Sequence, residues 1–134
     1  MGCQHISSIM VAEDDPDDRF LIQNAFEEIT RSHSVNFVKN GEELLGYLDQ
    51  THKADPALLP ALIILDLNMP KISGHEVLEK LKKNTAFNAI DIVVLTTSCE
   101  ESDIEFCRLH GVNSFFTKPD TYEKLVQILK LIIL

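Results

Sequence analysis

The chain has 134 residues, 45% hydrophobic and 25% charged, with a formal net charge of −9. That length fits one domain with a real core, and the composition is that of an ordinary soluble globular protein. The acidic balance argues against non-specific nucleic-acid binding, and no apolar stretch approaches the roughly 20 residues needed to span a membrane.

Met1-Gly2-Cys3-Gln4-His5 has no basic start or apolar signal region, so a cytoplasmic protein is expected. The hydroxyl pattern that myristoylation requires after Met1-Gly2 is only partly met. The first strand is expected near 7–13, as Ile9-Met10-Val11-Ala12 running into Glu13 and Asp14. Asp15-Pro16-Asp17-Asp18 then starts a helix, with an Asp cap, Pro at the first helical position and acids in the first turn. Leu21, Ile22, Ala25, Phe26 and Ile29 give that helix one apolar face. Val35–Val38 reads as a short strand, and Asn40-Gly41 leads into a helix carrying Leu44, Leu45 and Leu48. Residues 51–60, with Pro56 and Pro60, read as a loop.

Ala61-Leu62-Ile63-Ile64-Leu65 is a buried parallel strand by its unbroken apolar run, and it ends in Asp66. Pro70 and Gly74 bound a loop before a helix with Val77, Leu78 and Leu81. His75, at its start, reads as a solvated histidine. A connection at 84–91 precedes the strand Ile92-Val93-Val94-Leu95, which ends in Thr96. Glu100–His110 is an acidic helix stopped by Gly111, a left-handed C-cap. Ser114-Phe115-Phe116-Thr117 is a strand ending in Lys118-Pro119, and a last helix spans about 120–133. Cys3, Cys99 and Cys107 are odd in number and form no CxxC pair, as expected of reduced thiols rather than a zinc site.

Five βα units in unbroken alternation predict an α/β fold with a parallel sheet and helices on both faces. Strand ends then deliver Glu13, Asp14, Asp66, Thr96 and Lys118 to the carboxyl edge, where open α/β sheets place their chemistry. An aspartate can attack phosphorus and form an acyl phosphate. The obstacle is charge, which a divalent cation relieves by bridging the oxygens. Magnesium takes one or two carboxylates, carbonyl oxygen and retained water. Glu13, Asp14 and Asp66 provide the carboxylates, and the main-chain carbonyl of Asn68 a further oxygen. Lys118 can pair with a phosphoryl oxygen as a point charge, and the Thr96 hydroxyl can donate to another. Asp15, Asp17 and Asp18 read instead as a solvated charge run that favours the helix N-terminus.

On these residues the chain resembles the receiver domain of two-component response regulators over roughly residues 6–133. Glu13-Asp14 follows the first strand, Asp66 the third, Thr96 the fourth and Lys118-Pro119 the fifth; Met69-Pro70 and Gly74 fit the loop after the phosphoacceptor. Thirty residues separate Asp66 from Thr96 and 22 separate Thr96 from Lys118. The resemblance implies a doubly wound (βα)5 sheet of flavodoxin-like order 2-1-3-4-5, forming a single domain over 1–134 with no output domain. It implies phosphoryl transfer to Asp66 from the phosphohistidine of a sensor histidine kinase or a phosphotransfer protein. Mg²⁺ would sit at Glu13, Asp14, Asp66 and the Asn68 carbonyl. Thr96 and Phe115 would act as the switch, and the signal would pass to a downstream protein target. The resemblance also implies a cis bond between Lys118 and Pro119, which proline makes cheap. The Glu-Asp-Asp-Pro start, the extended 51–60 loop and Thr96-Thr97-Ser98 are similar to stand-alone receivers paired with phytochrome-type kinases.

Three positions depart from the family pattern. Phe115 replaces a frequent tyrosine, Thr97 replaces a small residue and is expected to crowd access to Asp66, and Asp15 adds a third acid after the pair. A haloacid-dehalogenase-like phosphatase would need a second acid where Asn68 stands, and a flavin carrier would need a Gly-rich loop after the first strand. The last helix is apolar on more than one face. With Leu125, Val126, Leu129, Ile132 and Ile133 assigned to the core, Ile128, Leu131 and Leu134 remain for a partner, including a homodimer.

Overall fold

The computed structural model describes residues 7–29 and 33–133. Met1-Gly2, Cys3 and Leu134 therefore lie outside the described residues. Five strands, β1 (Ser7–Ala12), β2 (His33–Val38), β3 (Leu62–Leu65), β4 (Asp91–Thr96) and β5 (Ser114–Thr117), pair in parallel in the order β2-β1-β3-β4-β5. Helices α1 (Pro16–Ile29), α2 (Gly41–Ala54), α3 (Gly74–Lys83), α4 (Glu101–Leu109) and α5 (Tyr122–Ile133) make the crossovers. This is the expected doubly wound (βα)5 fold.

Because strand side chains alternate with period two, each central strand feeds two cores. Ile9, Val11, Ile64 and Leu95 face α1 and α5, where they meet Ile22, Ala25, Phe26, Leu125 and Leu129. Met10, Ala12, Ile63, Leu65, Ile92 and Val94 face the opposite way, onto Leu44 and Leu48 of α2, Val77, Leu78 and Leu81 of α3, and Cys107 of α4. Burial on both faces explains why these strands are apolar throughout.

Local signals set most boundaries. Asn40 caps α2 by accepting from the Glu43 N–H at 2.8 Å, and Ser73 caps α3 through the Glu76 N–H at 3.3 Å. Gly111 ends α4 with φ +72°, a conformation only glycine adopts freely. Two stretches differ from expectation. Strand β2 begins at His33, where it pairs with Ser7, earlier than its sequence suggests, because this edge strand is exposed at alternate positions and carries a weak apolar signal. Helix α2 runs on through residues 51–54 before Asp55 caps a short 3-10 turn at Pro56–Leu58. On α5, Ile128 packs against the α1/α5 core, while Leu131 is 65% exposed. Leu131 alone of the three leftover residues is thus seen to face outward.

Gly74 fixes the approach of α3 to the end of β3. Its N–H donates to the Leu67 carbonyl at 2.9 Å, and a Cβ there would stand 2.6 Å from the Asp66 carbonyl oxygen and 2.5 Å from Leu67 Cα. Gly46, in the middle of α2, has open space around the same position. The two glycines therefore respond with opposite sign to the same substitution. Gly46→Ala stabilises by about 0.5–1 kcal/mol through the helix entropy term. Gly74→Ala destabilises by about 1–3 kcal/mol, because the clash is with backbone. Urea unfolding of both variants checks this; equal shifts would refute the close approach at Gly74.

Candidate functional site

The chain runs from β1 toward β2 on one side and from β3 toward β4 and β5 on the other. The order reverses between β1 and β3, which is where open α/β sheets leave a crevice at their carboxyl ends. Ala12 is registered with Leu65, so the next residues, Glu13 and Asp66, flank that crevice. One carboxylate oxygen from each of Glu13, Asp14 and Asp66 lies within 4.8 Å of the others. Glu13 is 2% exposed and Asp66 4%. Such burial is costly for charge. It pushes the Glu13 carboxyl up to about 7; the Lys118 hydrogen bond opposes the shift and the neighbouring Asp66 charge adds to it.

Lys118 reaches in from the end of β5. Its Nζ lies 2.7 Å from Glu13 Oε1, 2.7 Å from Asp18 Oδ2 and 2.9 Å from Asp66 Oδ2. Burial works against the ammonium, but hydrogen bonds to Asp18, Glu13 and Asp66 outweigh it and hold its pKa above the ordinary lysine value. With Asp14 beside Glu13 and Asp66, four acids thus gather around one ammonium, which bonds all of them but Asp14. Three of them converge as hard oxygen donors, the set that suits a small divalent cation.

The loop after β1 is shaped by its own polar groups. Arg19 Nη1 donates to the carbonyls of Glu13 and Asp14 at 2.8 and 2.9 Å. Glu13 Oε2 accepts from the Asp15 N–H at 3.1 Å. Asp15 Oδ1 accepts from the N–H groups of Asp17 and Asp18, so the third acid caps α1 and stands apart from the metal-type cluster. Asp17 is solvated as expected. Asp18 is not: its carboxylate belongs to Lys118. Neither Asp18 nor Arg19 was singled out as a site residue by the sequence reading, because a run of acids before an arginine looks like any polar helix start.

Past β3, Asp66 Oδ1 accepts from the Asn68 N–H at 3.0 Å, and Asn68 Nδ2 donates to Thr97 Oγ1 at 3.3 Å. Thr97 thus sits at the rim, tied to the loop that carries Asp66. Thr96 is fully buried; its Oγ1 accepts from the Ser98 N–H at 3.5 Å and its carbonyl from the Lys118 N–H at 2.6 Å. Phe115 is half-buried against the core beneath α2, α3 and α4. His75 is not a free solvated ring. Its Nε2 lies 2.8 Å from Asp103 Oδ1, while Ser98 Oγ donates to Asp103 Oδ2 at 2.5 Å. These hydrogen bonds, that of Ser98 foremost, lower the Asp103 pKa.

The expected cis bond between Lys118 and Pro119 is not found: no described peptide is cis. An X–Pro sequence lowers the cost of the cis form without requiring it. Here the trans chain carries the β4–β5 register from the Thr96–Thr117 pair into the Lys118 N–H bond to Thr96.

Residues 9–130 match the family model of the response regulator receiver domain. Among curated proteins, the chain is 36% identical over 117 residues to the probable methanogenesis regulatory protein FilR2 of Methanothrix harundinacea, covering 87% of this chain and 75% of that protein. It is 35% identical over 122 residues to the response regulator Rcp1 of Synechocystis, covering 91% and 83%. Among solved structures, the phosphorylated cyanobacterial phytochrome response regulator RcpA superposes with a TM-score of 0.86 at 40% identity, covering 96% of this chain and 91% of that one. The Mn(2+)-bound form of Rcp1 superposes with a TM-score of 0.84 at 32% identity, covering 94% and 91%. With its sheet order, acidic crevice and paired lysine in place, the chain belongs to the receiver-domain family of two-component response regulators.

Proposed function

We propose that this receiver accepts a phosphoryl group on Asp66 from the phosphohistidine of a sensor histidine kinase or a phosphotransfer protein in the cytoplasm. It then passes the signal on by protein contact. The observation that carries the reading is the convergence of Glu13, Asp14 and Asp66 within 4.8 Å, with Lys118 bonded to two of them. An Asp66 carboxylate oxygen attacks phosphorus, the P–N bond to the donor imidazole breaks, and its electron pair returns to the ring nitrogen. Side chains of Glu13, Asp14 and Asp66 and the Asn68 carbonyl would hold Mg²⁺, which supplies charge neutralisation at the phosphoryl oxygens. That Rcp1 was solved in a Mn(2+)-bound form supports the binding of a divalent ion by this chain as well.

Lys118 pairs with a phosphoryl oxygen as a point charge. Thr96 gives up its Ser98 contact and donates its hydroxyl to another oxygen. Phe115, lacking a phenol, follows by packing alone. This is a local charge change that biases a two-state element. Among the described residues no helix is long and apolar enough to cross a membrane.

Three results are expected. Labelling by a phosphorylated kinase is hydroxylamine-sensitive, requires a divalent cation and is lost in Asp66→Asn; undiminished labelling of that variant would sink the assignment. With small phosphodonors in place of the kinase, Thr97→Ala, which removes the side chain tied to Asn68, speeds phosphorylation and self-dephosphorylation by up to about tenfold, a barrier change of about 1.4 kcal/mol. Equal rates would mean the rim is open regardless of Thr97.

The Glu13 carboxyl, raised to about 7, must lose its proton to act as a ligand. Cation affinity therefore falls as pH drops below about 7, by up to about tenfold per unit, and levels off above about 8. Titrating Mn²⁺ into wild type and Glu13→Gln between pH 5.5 and 8.5 reads this directly. A flat wild-type profile would contradict the raised pKa.

A homodimer through the α5 face is the second part of the reading, favoured by the 65% exposure of Leu131 beside the half-buried Ile128. Sedimentation with and without beryllofluoride should show self-association that Leu131→Glu abolishes. A wild type that stays monomeric at high micromolar concentration in both states would leave this face to another protein.

A further inference from the structure

We propose that Asp18 is a positioning residue for phosphoryl transfer: it anchors the Lys118 ammonium so that one N–H stays directed at Asp66. The inference rests on the reading of Asp66 as the phosphoacceptor. Asp18 lies in the first turn of α1, and its carboxylate meets a lysine 100 residues further along the chain at 2.7 Å. A solvated helix-start acid would not do so; the lysine side chain it binds is only 14% exposed.

The geometry gives Asp18 a distinct task. An ammonium has three N–H bonds, and Glu13, Asp18 and Asp66 match them at 2.7, 2.7 and 2.9 Å. Glu13 and Asp66 also belong to the cluster of three acids whose oxygens converge, so their bonds to Lys118 compete with a cation there. Asp18 stands outside that cluster. Its hold on Lys118 is therefore independent of what occupies the acidic crevice, and independent of whether Asp66 has given up its charge to an acyl bond.

The other side of Lys118 explains why an anchor is needed. A cavity of about 110 Å³ opens between α1 and the start of α5, lined by Asp18, Leu21, Lys118, Pro119, Asp120 and Leu125. A lysine stem without Asp18 has room to swing into it, toward the Asp120 carboxylate on the same wall. Asp18 closes that path with a charge-assisted hydrogen bond. Its removal leaves the carboxylates of the crevice unchanged in number but takes the ammonium from its place beside Asp66.

The test is a double-mutant cycle on the full chain. The initial rate of phosphorylation by a small phosphodonor with Mg²⁺ is measured for wild type, Asp18→Ala, Lys118→Ala and the double variant. Asp18→Ala should slow the reaction about tenfold, and should have no further effect once Lys118 is alanine, because coupled residues are non-additive. A second readout needs no phosphorylation: amine acetylation of Lys118 in the metal-free protein, followed by mass spectrometry. It should rise several-fold in Asp18→Ala and stay at the wild-type rate in Asp17→Ala. A loss of rate that persists in the Lys118→Ala background, or unchanged acetylation of Lys118 in Asp18→Ala, would overturn the anchoring role. A wild type that takes up no phosphoryl group would instead refute the reading of Asp66, leaving the acetylation result to decide Asp18.

Discussion

Burying carboxylates at the crevice is the cost around which the rest of this molecule is arranged. Glu13 and Asp66 are almost wholly out of water and within reach of one another. Without a partner, two buried carboxylates would carry an unrelieved desolvation penalty. Lys118 makes the arrangement tolerable by bonding to both. It does so incompletely, since Asp14 and Asp18 add charge that one ammonium cannot balance. That surplus of hard oxygen charge is what suits the crevice to a cation, and the raised Glu13 pKa records the same cost, set first by burial and then by the neighbouring Asp66 charge. Structure and chemistry are thus two views of one electrostatic imbalance, held in place by a sheet whose apolar faces cannot shift without exposing both cores.

Much of this was legible in the residues. An unbroken run such as Leu62–Leu65 can only be a strand covered on both faces, and the polar residue that ends it has only the carboxyl rim to occupy. Such runs in β1, β3 and β4, in alternation with helical periods, leave little choice of fold, so Glu13, Asp14, Asp66 and Thr96 fall at one rim, where Lys118 joins them from the shorter β5. What was not legible depends on which charge finds which. Asp15, Asp17 and Asp18 are the same residue type within four positions, yet one caps a helix, one is solvated and one binds Lys118. The direction of the first turn of α1 decides this, and sequence periodicity does not resolve direction so finely. The Lys118–Pro119 bond is a similar case: the two isomers differ too little in energy for the residue pair to choose between them.

His75 illustrates a third kind of limit. It lies 28 residues from Asp103, and no local pattern links them. Only the packing of α3 beside α4 brings the ring to the carboxylate. The same carboxylate holds Ser98, and the Ser98 N–H in turn donates to the Thr96 hydroxyl. A continuous set of hydrogen bonds therefore runs from a buried strand end to the start of α3, through a loop that a sequence reader would pass over as polar punctuation. Any displacement of Thr96 has to be accommodated along that path or break it at its longest contact, which is the 3.5 Å bond between Ser98 and Thr96.

The bond between Asp18 and Lys118 has a consequence for how the chain comes to be assembled. Its two ends are 100 residues apart, and the strand that brings Lys118 into place is the last of the five. During synthesis the acids of β1 and β3 emerge long before their counter-charge. A nascent chain that stops short of residue 118 carries the repulsion without the remedy, and non-local closure of this kind is slow because loop entropy must be overcome first. The finished crevice therefore waits on the joining of β5 to the sheet. A truncated product, however complete its first four βα units, would be marked by an unsatisfied acidic seam, the sort of defect that chaperones and proteases encounter as a lingering open state.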